Sequence, residues 1–345
     1  MSKLSVEVVK IDEIKVHPNA DALELAIVKG WQIVIRKGEF KAGDLAIYFP
    51  IDSILPVRLS DDIGVTKFLS KQRIKPIKLR GEPSYGLLWN KDKGEDYIWP
   101  MPFDKRNYGE GADLTEGFGV TKWEPPPDLN EGESERPHSN FITYTDIQNM
   151  RNNLDIFTVD EDVRITEKVH GSNHRIGWVE NTLMVGSHTM RKRESEMSMW
   201  WEPIRKYPAI AEMLESISKD NNNANVIVYG ELYGKQDLKY GLQNGVVDYR
   251  SYDISINGRY VDYMDFSVFT SKYKIPVVPI LYRGPFSFDI VKSFEGKSKL
   301  EGAENLIEGC IITPVVERFD LKIGRVVLKY VYDSYLTRKN GTEFH

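Results

Sequence analysis

The sequence contains a single cysteine, Cys310, among 345 residues. This excludes a disulfide framework and any metal site built from several cysteines. The six histidines show no spacing typical of a zinc site. The formal net charge is -5, so the chain has no general excess of positive charge. Only a local basic patch could therefore attract a polyanion.

Long apolar runs are also absent. No stretch reaches the roughly 18 apolar residues of a membrane helix, and Met1-Ser2-Lys3-Leu4 does not begin a signal peptide. We therefore expect no membrane partner and a cytoplasmic or otherwise intracellular protein. Hydrophobic residues make up 41% of the chain and aromatic residues 11%, as in folded proteins. The length is sufficient for two domains.

The first part of the chain, residues 1–124, reads as a series of short strands separated by turns. Lys29-Gly30 joins two of them in a predicted hairpin. Strands of this length with frequent turns favour a small barrel of the OB type. The predicted strands cover residues 6–11, 26–28, 31–35 and 45–50, the last ended by Pro50.

A basic run lies within this region, and apolar residues alternate with its cations. One interpretation is a track for a phosphate backbone, since each neutralised phosphate releases counterions. The other is a solvated strand face. We favour the first, because OB grooves combine cations with aromatic side chains such as Tyr85 and Trp89. The candidate nucleic-acid-binding residues are Arg73, Lys75, Lys78 and Arg80.

A linker is predicted at residues 125–140, because three prolines precede an acidic and polar segment there. A second domain then covers residues 141–345. A helical region is expected near 198–218, broken by Pro208. Apolar residues at i, i+3, i+4 and i+7 from Ile210 predict one core-facing stripe in its second part.

Four charged residues in this domain lie within or beside apolar strands. Lys168 follows the strand 163–166, and Glu231 ends the strand 226–231. Glu308 and Lys329 lie inside two further predicted strands, 306–312 and 325–330. A buried charge is unfavourable unless it is paired or bound to a metal. Each residue alone could form a structural salt bridge. Two cations with two carboxylates are better explained by a pocket for phosphates and a divalent cation.

The stretch Glu167-Lys168-Val169-His170-Gly171-Ser172-Asn173 places a lysine just before a small-residue turn. Glycine lets a phosphate approach the backbone, because it has no Cβ. The alternative is a surface lysine on an ordinary β-turn.

Five segments, taken in order, resemble the covalent nucleotidyltransferases, which comprise nucleic-acid ligases and mRNA capping enzymes. The His-Gly pair after the lysine is similar to the RNA ligase form. Two positions depart from the pattern. His188 lies where the family often has an arginine, whose place Arg191 or Lys192 could take. Val331 lies where the family often has a second lysine. The segments are 168–173, 229–231, 252–253, 308–311 and 325–329.

Segments 73–81, 84–88 and 119–126 extend the resemblance to the fifth RNA ligase subgroup, in which an OB-like module precedes the transferase. The resemblance implies an α+β protein. An N-terminal OB-like β-barrel would precede a nucleotidyltransferase (ATP-grasp-like ligase) domain of antiparallel sheets with flanking helices. The implied activity is ATP-dependent joining of RNA 3′-OH and 5′-phosphate ends through lysyl-AMP and RNA-adenylate. Mg²⁺ or Mn²⁺ would be required. The expected partner is RNA, alone or in a duplex with RNA or DNA, and we expect a monomer.

The resemblance also implies roles for individual residues. The catalytic residues would be Lys168, Lys329 and Glu308. Glu231 and Glu308 would hold the metal. The ATP-binding residues would be Glu167, Val169, His170, Gly171, Asn173, Glu231 and Tyr252.

Three alternative functions stay open. A DNA ligase and a capping guanylyltransferase belong to the same superfamily, but they usually place the OB module after the transferase domain. A non-catalytic RNA-binding protein with a decayed transferase core is the third. The presence of all four charged residues argues against it.

Overall fold

The computed structural model describes residues 4–98, 108–123 and 133–338. The chain divides into two compact units, Met1–Pro126 with Leu336–His345, and Pro127–Tyr335. Within the described ranges, no helix is long and apolar enough to cross a membrane.

The first unit is rich in strands, as the sequence predicts. The sheet orders are β1-β5-β9, β2-β3-β4, β6-β10 and β7-β8. The elements are β1 Glu7–Lys10, β2 Glu13–Val16, β3 Leu23–Val28, β4 Trp31–Arg36, β5 Leu45–Phe49, β6 Ser53–Ile54, α1 Val57–Ile63, β7 Ile77–Leu79, β8 Glu82–Ser84, β9 Leu87–Asn90, α2 Lys91–Ile98 and β10 Thr121–Lys122.

The predicted hairpin at Lys29-Gly30 joins β3 to β4. Both turn residues have positive φ, 48° and 71°, the conformation that matches the twist of paired strands. Ile47 and Phe49 of β5 pack with Phe118 in the core of this unit.

The second unit combines two large sheets with short helices. Its elements are β11 Ser134–Glu135, β12 Gln148–Asn149, β13 Asp162–Lys168, β14 Gly171–Val179, β15 Thr182–Ser187, β16 Arg191–Lys192, α3 Glu202–Lys206, α4 Ala209–Asp220, β17 Val226–Tyr233, β18 Asp248–Ile256, β19 Arg259–Tyr260, α5 Tyr263–Lys272, β20 Ile280–Pro285, α6 Phe288–Ser293, β21 Gly309–Pro314, β22 Phe319–Asp320, β23 Gly324–Arg325, β24 Leu328–Val331 and α7 Asp333–Leu336.

The seven-stranded sheet has the order β11-β16-β15-β14-β17-β18-β19, and the five-stranded sheet has the order β12-β24-β21-β13-β20. Among the strands described, the pairings in both sheets are antiparallel apart from β12 with β24. β13 and β14 follow each other in the chain but belong to different sheets. The chain therefore passes from one sheet to the other at residues 169–170.

The predicted helical stripe is confirmed. Ile210, Met213, Leu214 and Ile217 of α4 are buried in the core on the seven-stranded sheet. Pro208 precedes α4 and separates it from α3, as expected for a residue that cannot donate a backbone hydrogen bond.

Two regions differ from the sequence predictions. The apolar run 325–330 does not form one strand, because the amide of Val326 donates to Arg318 O and the chain leaves the ladder between β23 and β24. Of the linker predicted at 125–140, residues 125–132 lie outside the described residues. Ser134–Glu135 form β11 and pair with β16.

Candidate active site

Lys168 lies where the chain crosses between the two sheets. It is the last residue of β13, and Gly171 begins β14 two residues after the crossing starts. A cavity of about 220 Å³ lies beside this crossing. Strands of both sheets contribute to its wall. The lining residues are Tyr144, Ile147, Arg164, Thr166, Glu167, Lys168, Val169, Asn173, Glu231, Tyr252, Asp253, Val278, Ile311 and Thr313.

The amine of Lys168 forms an ion pair with Glu308, which directly precedes β21. Glu308 is buried, with 4% of its surface exposed. Burial alone would raise the pKa of this carboxyl. The charge of Lys168 and the hydrogen bond from His170 outweigh burial and lower the pKa to about 2. Glu308 is therefore ionised at neutral pH and binds the amine of Lys168.

Glu231 has the opposite electrostatic character. It lies on β17 opposite Asn173 of β14 and lines the cavity. Burial raises its pKa to about 8, and the charge of Glu308 adds to the effect, whereas Lys168 opposes it. At neutral pH one of the two carboxyl groups is ionised and the other is mainly protonated. Bringing a cation to the cavity would favour ionisation of both.

Tyr252 enters the cavity through an irregularity in the sheet. The register between β17 and β18 shifts so that Tyr229 faces Asp253 while Gly230 faces Ser251. Tyr252 is left as the extra residue, and a bulge of this kind re-aims a side chain. Its hydroxyl accepts a hydrogen bond from Asn173 Nδ2 at 2.5 Å. Asn173 Oδ1 is buried without a hydrogen-bond partner among the described residues, so it can accept from a ligand.

His170 contacts two carboxylates. Its Nε2 lies 2.9 Å from Asp237 Oδ1, and its Nδ1 lies 3.2 Å from Glu308 Oε2. A carboxylate oxygen can accept a hydrogen bond from a ring nitrogen that carries a proton. The hydroxyl of Tyr335 also lies 3.2 Å from Nδ1, and the amide of His170 donates to Tyr240 Oη at 2.6 Å. His170 therefore connects the segment 167–173 with Glu308.

Glu167 lines the cavity, and its carboxyl group is anchored by two hydrogen bonds. Ser298 Oγ donates to one of its carboxyl oxygens at 2.5 Å, and the amide of Lys299 donates to the other at 2.7 Å. Its own amide donates to Pro279 O at 2.9 Å. Cys310 of β21 pairs with Glu167 of β13 and is fully buried. Burial raises the pKa of its thiol to about 12.

Val169 lies on the other side of Lys168 in the chain and is also buried. It packs in a core cluster with Tyr240 and Leu300 while lining the cavity. The residues on both sides of Lys168 are therefore held by packing and hydrogen bonds.

Strand packing gives a further reason for glycine at position 171. A Cβ at this position would lie 2.4 Å from Leu232 O and 2.8 Å from Glu231 Cγ. Glycine is required here because β14 and β17 approach each other closely. A Cβ on Gly309 would similarly lie 2.2 Å from Tyr330 O.

Lys329 lies on β24, two strands from β13. Its register partner on β21 is Ile311, which in turn faces Thr166 of β13. Ile311 and Thr166 both line the cavity, so Lys329 belongs to the same face of the sheet. Val331, at the position where a second lysine was considered, is 3% exposed.

Arg191 and Lys192, which could take the place of the cation missing at His188, make other contacts in the structure. Arg191 forms an ion pair with Glu135, and Lys192 donates to Ser134 Oγ at 3.0 Å. Both therefore hold β11 against β16, and the expectation that they take the missing cation's place is not supported by these contacts.

Arg73 differs from the rest of the basic run. It is buried, its guanidinium donates to Asp52 Oδ1 at 2.9 Å, and it stacks on Trp123 with 3.5 Å to the ring centre. Because this side chain is buried and paired with Asp52, the prediction of an exposed phosphate contact is wrong for Arg73. The other three residues, Lys75, Lys78 and Arg80, are exposed on or beside the β7–β8 hairpin.

Sequence reasoning missed Asp237, Tyr240, Tyr335 and Ser298, all of which contact the segment 167–173. They lie 67 to 165 positions away in the sequence from the residues that they contact. No local pattern marks them, because only the folded chain brings the loops together.

Comparisons with known proteins agree with this geometry. A family model described as RNA ligase matches residues 161–331, and an OB-fold domain model matches residues 5–90. No curated protein matches the sequence.

Several solved structures of one Naegleria gruberi RNA ligase are similar to the whole chain. A lysine-to-alanine mutant of that ligase with ATP and Mn has a TM-score of 0.79 and 24% identity, covering 97% of this chain and 98% of the other. A lysine-to-methionine mutant with AMP and Mn gives 0.78 with the same identity and coverage.

The predicted fold class, an OB-fold module followed by a nucleotidyltransferase domain, is thereby confirmed. The ligase model covers Lys168, Glu231 and Glu308, and residues 161–331 therefore belong to the RNA ligase family.

Proposed function

We propose that this RNA ligase uses ATP to join an RNA 3′-OH to a 5′-phosphate end through lysyl-AMP and RNA-adenylate intermediates. The observation that carries the proposal is the placement of Lys168. Its amine lies at the wall of the cavity, bound to the ionised Glu308 and beside Glu231. The Naegleria gruberi structures with ATP, AMP and Mn support the choice of nucleotide and metal.

The cavity offers a binding partner for each part of ATP. Tyr252, re-aimed by the bulge, would stack on the adenine, and the apolar Ile311 and Val278 would enclose it. Asn173 Oδ1 would accept a hydrogen bond from the nucleotide. Glu231 would contact the ribose or a metal-bound water. Lys329 and His170 would lie toward the phosphates.

The carboxylates fit a divalent cation that is shared with substrate phosphates. The described residues contain no cluster of three or more metal-ligating side chains, so the protein alone does not form a full coordination shell. Mg²⁺ is commonly held by one or two carboxylates together with phosphate oxygens and water. Glu231 and Glu308 would be those carboxylates. The cation would supply charge stabilisation at the phosphoryl oxygens.

The chemistry begins at Lys168. Its uncharged amine attacks the α-phosphorus of ATP, a P–N bond forms, and pyrophosphate leaves. Glu308 holds the charged amine in place before the attack. The amine must then lose its proton, which passes to solvent, before it can act as a nucleophile. AMP then passes to the RNA 5′-phosphate, and the 3′-OH displaces it. Positioning and charge stabilisation dominate all such phosphoryl transfers.

Residues 1–124 would guide the RNA, and residues 141–345 would carry out adenylyl transfer. Lys75, Lys78 and Arg80 are exposed cations beside the exposed apolar residues Ile77 and Leu79. This combination suits an RNA backbone with partly unstacked bases. Arg73 is left out of this proposal because it is buried.

The test is covalent labelling with α-labelled ATP and Mg²⁺ or Mn²⁺, followed by denaturing electrophoresis. We expect a labelled band at 39.7 kDa that is lost in Lys168→Ala. Lys322→Ala, which removes an exposed lysine paired with Asp155, is the matched control and should label normally. A band with GTP instead of ATP would favour a capping enzyme. A band in Lys168→Ala would refute the assignment of the nucleophile.

A further inference from the structure

The loop between β17 and β18, residues 234–247, makes three contacts with the nucleophile segment, by which we mean residues 167–173. Tyr240 Oη accepts from the amide of His170 at 2.6 Å, and Gln236 Nε2 donates to Ser172 Oγ at 2.9 Å. Asp237 Oδ1 lies 2.9 Å from His170 Nε2. The residues that line the cavity in the described chain include none from this loop. The loop therefore acts on the nucleophile segment rather than on a bound nucleotide.

The loop is itself held in a fixed shape. Lys239 Nζ donates to Gly234 O at 3.1 Å and to Lys235 O at 3.2 Å. Gly241 has φ +78°, and a Cβ there would lie 2.3 Å from Gly302 O. Lys239 thus ties the start of the loop to its middle, and Gly241 lies close to Gly302.

We propose that Asp237 is a positioning residue for adenylyl transfer, which it serves by orienting His170 toward Glu308. The inference rests on the proposed function. Nε2 of the imidazole lies 2.9 Å from Asp237 Oδ1, and Nδ1 on the other side of the same ring lies 3.2 Å from Glu308 Oε2. The other oxygen of Glu308 binds the amine of Lys168. A continuous series of contacts thus runs from the loop to the nucleophile.

The first experiment measures the single-turnover rate of adenylylation with labelled ATP in Asp237→Ala and Asp237→Asn. We expect Asp237→Ala to lower the maximal rate by about 10-fold or more, the size typical of residues that orient a functional side chain. The ATP concentration for half-maximal rate should stay within about threefold, because the loop does not line the cavity. Asp237→Asn should recover part of the rate, since its amide oxygen still accepts from His170.

Asn244→Ala is the matched control, an exposed position in the same loop, and should label at the wild-type rate. Its melting temperature and that of Asp237→Ala should both equal that of the wild type within a few degrees. A large fall in melting temperature for Asp237→Ala, with the rate recovered at low temperature, would overturn the positioning role in favour of a structural one.

The second experiment is a double-mutant cycle with His170→Gln. If Asp237 acts through His170, adding Asp237→Ala to His170→Gln changes the rate less than about twofold. An undiminished effect in that background would overturn the inference. The outcomes also separate the two proposals: wild-type protein without any adduct contradicts the proposed function. A normal adduct rate in Asp237→Ala contradicts only the role of Asp237.

Discussion

Glu231→Gln should make the protein more stable at neutral and alkaline pH, even though it removes a candidate active-site residue. In the folded protein, burial raises the pKa of Glu231 from 4.5 to about 8. The unfolded chain ionises this carboxyl near 4.5, so folding requires proton uptake between these two values. The favourable contribution is complete below pH 4.5 and is lost as pH rises through about 8.

The magnitude follows from the shift. Each pKa unit corresponds to about 1.4 kcal/mol. The unfolding free energy of the wild type therefore loses about 3 kcal/mol at pH 7 and about 5 kcal/mol above pH 8 through this carboxyl group. Glutamine has nearly the same shape and does not ionise. The difference in unfolding free energy between Glu231→Gln and wild type should therefore rise from near zero at pH 4.5 to about 3 kcal/mol at pH 7.

The assay is urea unfolding of both proteins at closely spaced pH values from 4.5 to 9, without nucleotide or metal. Glu212→Gln, an exposed position on α4, is the control and should give a difference that does not change with pH. A flat difference for Glu231→Gln as well would refute the reasoning. Such a result would mean that Glu231 is ionised in the folded protein across this range. Adenylylation by Glu231→Gln should fall, since stability and activity oppose each other at such a site.

Three further predictions concern the other contacts. Arg73→Ala should lower the unfolding free energy by about 3–5 kcal/mol, because it leaves Asp52 buried without its partner; urea unfolding measures this, and exposed Lys75→Ala should lie within error of wild type. Gly309→Ala should cost about 1–3 kcal/mol by overpacking against Tyr330 O, and it should slow adenylylation through the adjacent Glu308; normal labelling would contradict the close approach. Lys78→Ala with Arg80→Ala should reduce the slope of log affinity for single-stranded RNA against log salt by about 1.4; an unchanged slope in filter binding would exclude these residues as phosphate contacts.

Much of the fold could be predicted because its signals are local. The Lys29-Gly30 turn and the apolar stripe from Ile210 depend on neighbouring residues, and both were found where expected. The run at 325–330 was mispredicted because Val326 bonds to Arg318 instead of continuing a ladder. Its apolar composition alone could not distinguish one strand from two.

In the candidate site, too, some residues could be identified from the local sequence and others only from tertiary contacts. Charges within apolar strands marked Lys168, Glu231 and Glu308, and the fold brings them together. Composition did not distinguish Arg73 from its exposed neighbours, because its partner Asp52 lies 21 positions away and only the folded unit joins them. The supporting residues Asp237 and Ser298 were missed for the same reason. The identity of a charged residue can be informative locally, whereas the residues that orient it are set by tertiary contacts.

The burial of Cys310 has a practical consequence for spectroscopy. Thiol reagents react with the thiolate, and this thiol is inaccessible and has a pKa of about 12. A new cysteine at an exposed position, such as Ile77→Cys on the β7–β8 hairpin, would be the reactive thiol of the folded chain. A fluorophore attached there could follow the arrival of RNA in real time. Site-specific labelling therefore does not require prior replacement of the native cysteine.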